Sequence, residues 1–150
     1  MAKTITVKQA IGDALHEEFK RDDGVILLGC DIGRRGNPFR VTWGLWQEYG
    51  DRRVIDTPIS EEGFTGMALG AAATGLRPIV EILYTDWITL AMDQIVNQIA
   101  KSRYMFGGKL EVPLVIRAPI GVGGGAAAQH SQSFESWFCH VPGLKVVMPI

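Results

Sequence analysis

Five short apolar runs constrain this chain more than anything else in it: VILLG (25–29), RVID (53–56), RPIVEIL (77–83), VPLVIRA (112–118) and LKVVM (144–148). A strand buried on one face alternates apolar and polar residues, whereas these runs are apolar at successive positions, as strands buried on both faces are. Stretches with helical spacing separate the runs. Helices that cross over between strands cover both faces of a parallel sheet, so the expected fold is α/β, a parallel sheet with helices on both faces.

The helical stretches carry local signals. Thr6 followed by Gln9 has the form of a capping box and opens a pattern of Ala10, Ile11, Leu15 and Phe19 that stops at Asp22-Asp23-Gly24. After the glycine-rich loop DIGRRGNP (31–38), a helix is expected over 39–49, another over 63–74, a long one over 87–105 closed by Gly107-Gly108, and a short one over 131–140. In the helix over 63–74, Gly63, Gly66, Gly70 and Thr74 place small residues on one face, which implies close packing against the sheet or another subunit. With 150 residues and 47% apolar side chains, the chain reads as one domain, 1–150. Its last residues leave a strand without a following helix to cover it, and the domain is expected to be truncated at the carboxyl end or completed by a partner.

Charge and cysteine usage exclude several classes. Fifteen basic and sixteen acidic residues are spread without a basic stripe, so nucleic acid is not an expected partner. No run of about eighteen apolar residues occurs, so no membrane span is expected. The first residues, MAKTITVKQAIGDALHEEF, lack the basic segment and apolar stretch of a secretory signal, and the expected location is cytoplasmic. Cys30 and Cys139 are far apart without CxxC or Cys/His spacing, which fits reduced packing thiols rather than a disulfide framework or zinc site.

Two stretches carry candidate chemistry. In VIDTPISEEGF (54–64), Glu61 follows the carboxyl end of a strand, the edge beyond which open parallel sheets bind ligands. Withdrawn from water, its carboxyl would exchange a proton with a ligand nitrogen near neutral pH; an ordinary acid at a helix amino terminus fits the same position. In APIGVGGGAAAQHS (118–131), Gly121, Gly123 and Ala126 form a G-x-G-x-x-A, a weak match to the dinucleotide fingerprint. Gln129 to Gln132 interrupt it, and no acid stands about twenty positions on. His130 on this glycine loop suits a proton donor or anion binder, or equally a histidine satisfied by polar neighbours. Ser131 beside His130 lacks a nucleophile elbow, so hydrolase chemistry is unsupported. Trp87 is either a core aromatic or a flat face for a heteroaromatic ring.

The segments DTPISEEGFTGMALGAAATGLRPIVEI, AMDQIVNQIAKSRYMFGG and VPLVIRAPIGVGGGAAAQHSQSFESWFCHVPGLKVVMP together resemble the beta subunit of the thiamine-diphosphate-dependent 2-oxo acid dehydrogenase decarboxylase, in its amino-terminal half. The resemblance implies the transketolase-type pyrimidine-binding fold. It implies that Glu61 hydrogen-bonds a ring nitrogen of the cofactor's aminopyrimidine and so activates the thiazolium, while Glu62 stays solvated. It further implies that Ile59, Leu83 and Trp87 line or stack on the pyrimidine and that His130 helps position substrate or the lipoyl acceptor. By the same resemblance the Leu114 backbone contributes to a structural potassium site. Magnesium and the diphosphate fall to an alpha subunit, whose G-D-G motif is absent here.

The same resemblance implies a lipoyl-bearing transacylase as a further partner, a homo-oligomeric arrangement of the beta chain, and a substrate of the pyruvate, acetoin or branched-chain 2-oxo acid type, with pyruvate or acetoin favoured. Cys30 stands where the family usually has a glutamate that links paired active sites. Two rival readings are a non-catalytic assembly module of the same fold and a nucleotide-binding α/β domain built on the glycine loop.

Overall fold

The computed structural model describes residues 4–121 and 125–149. Helix α1 (Val7–Arg21) starts at a Thr6 cap whose hydroxyl accepts from the Gln9 backbone N–H at 3.1 Å while the Gln9 side chain accepts from the Thr6 N–H at 3.0 Å, the reciprocal capping box. Strand β1 (Val25–Gly29) follows, then α2 (Leu45–Tyr49), β2 (Val54–Asp56), α3 (Glu61–Ala73) and β3 (Arg77–Glu81). A 3-10 segment (Thr85–Ala91) and a π-helical segment (Gln94–Ile99) lead into α4 (Ala100–Met105), with β4 (Val115–Arg117) and α5 (Glu135–Cys139) closing the order.

The four strands form one sheet in the order β2-β1-β3-β4, with every pairing parallel. Strand β1 shows why its run is apolar throughout. Val25 and Leu27 enter a core with Leu15, Phe19, Val41, Leu45 and Val54, under α1 and α2. Ile26 and Leu28 enter the opposite core with Phe64, Ala68, Val80, Ile88 and Ile95, under α3 and the 3-10 and π segments. Each such side chain removed from water contributes about 1.5–3 kcal/mol before entropy is counted, so β1 anchors both layers at once. The α/β fold with helices on both faces is thus the observed one.

Several expected elements differ in extent. The helix expected over 39–49 begins only at Leu45, because Asn37, Arg40 and Gly44 adopt positive φ (60°, 55° and 94°). The Asn37 carboxamide oxygen accepts from the Phe39 and Val41 N–H groups, which holds a turn in place of a helical one. The span expected as one α-helix over 87–105 is wound in three ways. At its start the Thr89 hydroxyl donates to the Asp86 carbonyl at 2.9 Å, competing for the acceptor an α-turn would use.

The run 144–148 forms no strand: Leu144 and Val146 pack on the core under α3, but no ladder partner lies alongside. Val115, Val147 and Met148 are exposed there, beside an open cavity of ≈ 890 Å³. Among the described residues no helix is long and apolar enough to cross a membrane.

Of the small residues on α3, only Gly66 meets another element closely. A Cβ there would stand 3.2 Å from the Gln94 amide oxygen, whereas nothing approaches Gly70.

Candidate functional site

Strand register brings Gly29, Asp56, Glu81 and Arg117 level with one another at the carboxyl edge of the sheet. The loops and helix starts that leave this edge carry the candidate residues. After Asp56, whose carboxylate accepts from the Gly33 N–H at 3.0 Å, residues 57–60 turn into α3. Glu61 and Glu62 occupy the first turn of that helix, where its unpaired N–H groups favour negative charge.

The two acids then part. Glu61 is buried at 7% exposure and Glu62 is exposed. Among the described residues the Glu61 carboxylate has neither a side-chain hydrogen bond nor an ion pair, and Ser60 gives the helix no side-chain cap. Nearby, burial first and then the charges of Asp31, Asp56 and Glu61 push the Cys30 thiol up from its ordinary range.

Two strands along the sheet, the segment after β3 builds an aromatic cluster. Tyr84 sits edge-on to Phe39 (5.5 Å), to Trp87 (5.3 Å) and to His130 (4.6 Å), and Trp87 is itself edge-on to His130 at 5.2 Å. Leu83, Trp87 and His130 are each half-buried, so each keeps surface available to a ligand. The arrangement suits a flat, largely apolar ring system approached by one imidazole.

Beneath these groups lies a third carboxylate. Glu81, fully buried, accepts from Arg117 through two bonds of 2.7 Å and from the Asn37 carboxamide at 3.0 Å. Loss of hydration raises its pKa, and the Arg117 guanidinium and Asn37 oppose that rise. At the adjacent Gly29, φ is 158° and a Cβ would stand 2.5 Å from the Glu81 carbonyl, so this close approach requires glycine.

Residues 3–150 match the family model described as "Transketolase, pyrimidine binding domain". The chain belongs to this family. The mitochondrial pyruvate dehydrogenase E1 component subunit beta of Caenorhabditis elegans is 49% identical over 148 residues, 99% of this chain and 42% of that protein. The Homo sapiens subunit of the same name is 50% identical over 148 residues, 99% of this chain and 41% of its own length. A Rhizobium meliloti pyruvate dehydrogenase E1 component subunit beta is 49% identical over 146 residues, 97% of this chain and 32% of that protein.

The chain therefore spans about two fifths or less of the relatives it matches. A solved structure described as a split gene transketolase, inactive beta4 tetramer, shares the fold with a TM-score of 0.67 at 20% identity, over 93% of this chain and 41% of that one. The likeness to beta subunits read from the motifs is borne out over nearly the whole chain. The cytoplasmic expectation is corrected: the nematode and human relatives are mitochondrial.

Within this transketolase-type domain, Trp87 and His130 touch and Leu83 lies four positions before Trp87, while Glu61 stands at the same sheet edge after β2. Ile59 projects from the turn before α3 at 79% exposure. Leu114 stands apart: it precedes β4, at the opposite edge of the sheet, and packs on the core under α3. Gly123, the central glycine of the weak dinucleotide match, lies outside the described residues. The helix expected over 63–74 starts two residues earlier, so that Glu61 opens α3 itself. Cys139 is exposed rather than packed.

Sequence reasoning passed over Glu81 with Arg117 and Asn37, although a lone glutamate inside RPIVEIL was its visible sign. It also passed over Tyr84 and Phe39, which no spacing rule joins.

Proposed function

We propose that this chain is the amino-terminal part of a beta subunit of a pyruvate-type 2-oxo acid dehydrogenase and supplies the pyrimidine half of its thiamine diphosphate site. The observation that carries the reading is Glu61, a residue only 7% exposed whose carboxylate has no side-chain partner among the described residues, at the ligand-binding edge of a sheet whose family is the transketolase pyrimidine-binding domain. The residues present fit an aminopyrimidine: an unpaired acid for a ring nitrogen, a half-buried indole for a flat face, and aliphatic Ile59 and Leu83 for its edges. Thiamine diphosphate, when bound, supplies the carbanion that attacks the 2-oxo carbon and lets carbon dioxide leave.

The protein's own part is binding and proton placement. Glu61 would place its carboxyl group for a hydrogen bond with the pyrimidine nitrogen. Trp87 and Leu83 would hold the ring, and His130 would offer a hydrogen-bond donor to the substrate or to the lipoyl group of a transacylase. An alpha subunit holds the diphosphate with magnesium, so the domain 1–150 completes half a site and is not active alone. Leu114 contributes one backbone carbonyl to a structural potassium ion, a role that rests on the resemblance only. The beta chains associate with one another in the assembly.

The test is calorimetry on a two-subunit enzyme whose beta chain carries residues 1–150 of this sequence. Saturable binding of thiamine diphosphate with magnesium, together with release of carbon dioxide from pyruvate, is the expected result. Binding of a nicotinamide dinucleotide with no response to thiamine diphosphate would overturn the reading.

A further inference from the structure

The His130 imidazole is held against Tyr84 and Trp87, yet His130 itself forms only one described hydrogen bond, a backbone link from its N–H to the Ala127 carbonyl at 3.3 Å. Something else has to hold the loop to the 3-10 segment. Two residues beyond the histidine, the Gln132 side chain donates from Nε2 to Oδ1 of Asp86 at 2.7 Å. Asp86 is buried at 8% exposure and stands in the first turn of the 3-10 segment, immediately before Trp87. The backbone closes the same seam on both sides: Thr85 N–H donates to the Pro119 carbonyl at 2.9 Å, and Gly121 N–H donates to the Gln132 carbonyl at 3.2 Å.

We infer that the Asp86–Gln132 hydrogen bond is a latch that positions His130, making Asp86 and Gln132 positioning residues for whatever chemistry the imidazole performs. The geometry assigns them this role for three reasons. The bond joins neighbours of the two rings in contact, Trp87 on one side and His130 on the other. It is the single described side-chain bond between the 3-10 segment and the loop 125–132. Its acceptor is an acid with only 8% of its surface exposed, and such a group loses hydration that this charge-assisted bond replaces.

Tyr84 and Trp87 supply contact surface to the imidazole but no direction; an edge-on ring pair tolerates sliding, whereas a 2.7 Å bond does not. Cutting the latch removes the one described side-chain tie between the 3-10 segment and the loop 125–132 and leaves the core contacts under α3 untouched.

The inference rests on the proposed function for its catalytic meaning but not for its geometry, and the experiment separates the two. The two-subunit enzyme, with its beta chain carrying residues 1–150, is treated with diethyl pyrocarbonate, and carbethoxylation of His130 is followed by peptide mass spectrometry. Gln132→Ala and Asp86→Ala are expected to speed modification of His130 by about fivefold or more, with His16 and His140 serving as internal references. Asp86→Asn keeps an acceptor oxygen for Gln132 and is expected to react at the parental rate.

In the same variants, single-turnover transfer from pyruvate to a lipoyl acceptor is expected to fall about tenfold in the two alanine variants, to recover in Asp86→Asn, and to show no further loss when Gln132→Ala is added to His130→Ala. Unchanged His130 modification in both alanine variants overturns the latch. A parallel rise at all three histidines also overturns it, since that reports general loosening. Faster modification with no change in transfer keeps the latch and removes His130 from the proposed reaction.

Discussion

Glu61 and Glu81 stand at the same edge of the same sheet, both buried at 7% and 0% exposure, and differ in their partners. Glu81 receives three hydrogen bonds, two from the Arg117 guanidinium and one from Asn37, and so ties β3 to β4 and to the loop after β1. Glu61 opens α3 with no side-chain partner among the described residues. A buried acid with both oxygens bonded from within the fold is a structural strut. One left unpaired in a ligand-binding position has capacity to spare for a bound group, because the fold has not satisfied it from within.

The contrast makes opposite predictions for the two positions. Glu81→Ala leaves Arg117 and the Asn37 amide without an acceptor and is expected to destabilise the domain by about 3–5 kcal/mol, read as a large fall in thermal midpoint or a failure to accumulate folded protein. Stability within about 0.5 kcal/mol of the parent would show that the strut is dispensable.

The strand junction behind Glu81 is the next most sensitive place. Gly29→Ala sets a Cβ against the Glu81 carbonyl and is expected to cost about 1–3 kcal/mol, with loss of the Glu81 network. A variant with an unchanged melting profile would mean that β1 and β3 part easily at their ends.

The smallest effect concerns the field around Glu61. The raised pKa of Cys30 comes first from burial and then from Asp31, Asp56 and Glu61. Asp31→Asn removes one negative charge, so the thiolate forms at lower pH. The pH profile for iodoacetamide alkylation of Cys30 is expected to move down by a fraction of a unit. An upward move would place Asp31 outside that field.

How legible this was in the sequence depended on how local each cause is. The capping box at Thr6 and Gln9 and the apolar run of β1 are local, and both appear where the residues place them. The edge position of Glu61 follows from strand and helix order alone. Its inclusion in α3 was missed because a helix can begin without a side-chain cap, as it does after Ser60. The late start of α2 depends on Asn37, whose side chain serves a turn and the buried Glu81 together, a long-range demand that periodicity does not register.

The contacts among Phe39, Tyr84, Trp87 and His130 join residues up to 46 positions apart, counting from 84 to 130, and need β1 and β3 paired to bring the segments that follow them together. The run 144–148 has the composition of a strand, but composition supplies no ladder partner.

The most direct measurement is the rate of carbon dioxide release from pyruvate by a two-subunit enzyme bearing Glu61→Ala in this beta chain, with Glu62→Ala beside it and melting profiles for both. The account predicts a fall of about 10²–10⁴-fold for Glu61→Ala, with thermal stability near the parent's, and little change for Glu62→Ala. Parental turnover from the Glu61→Ala enzyme would contradict it.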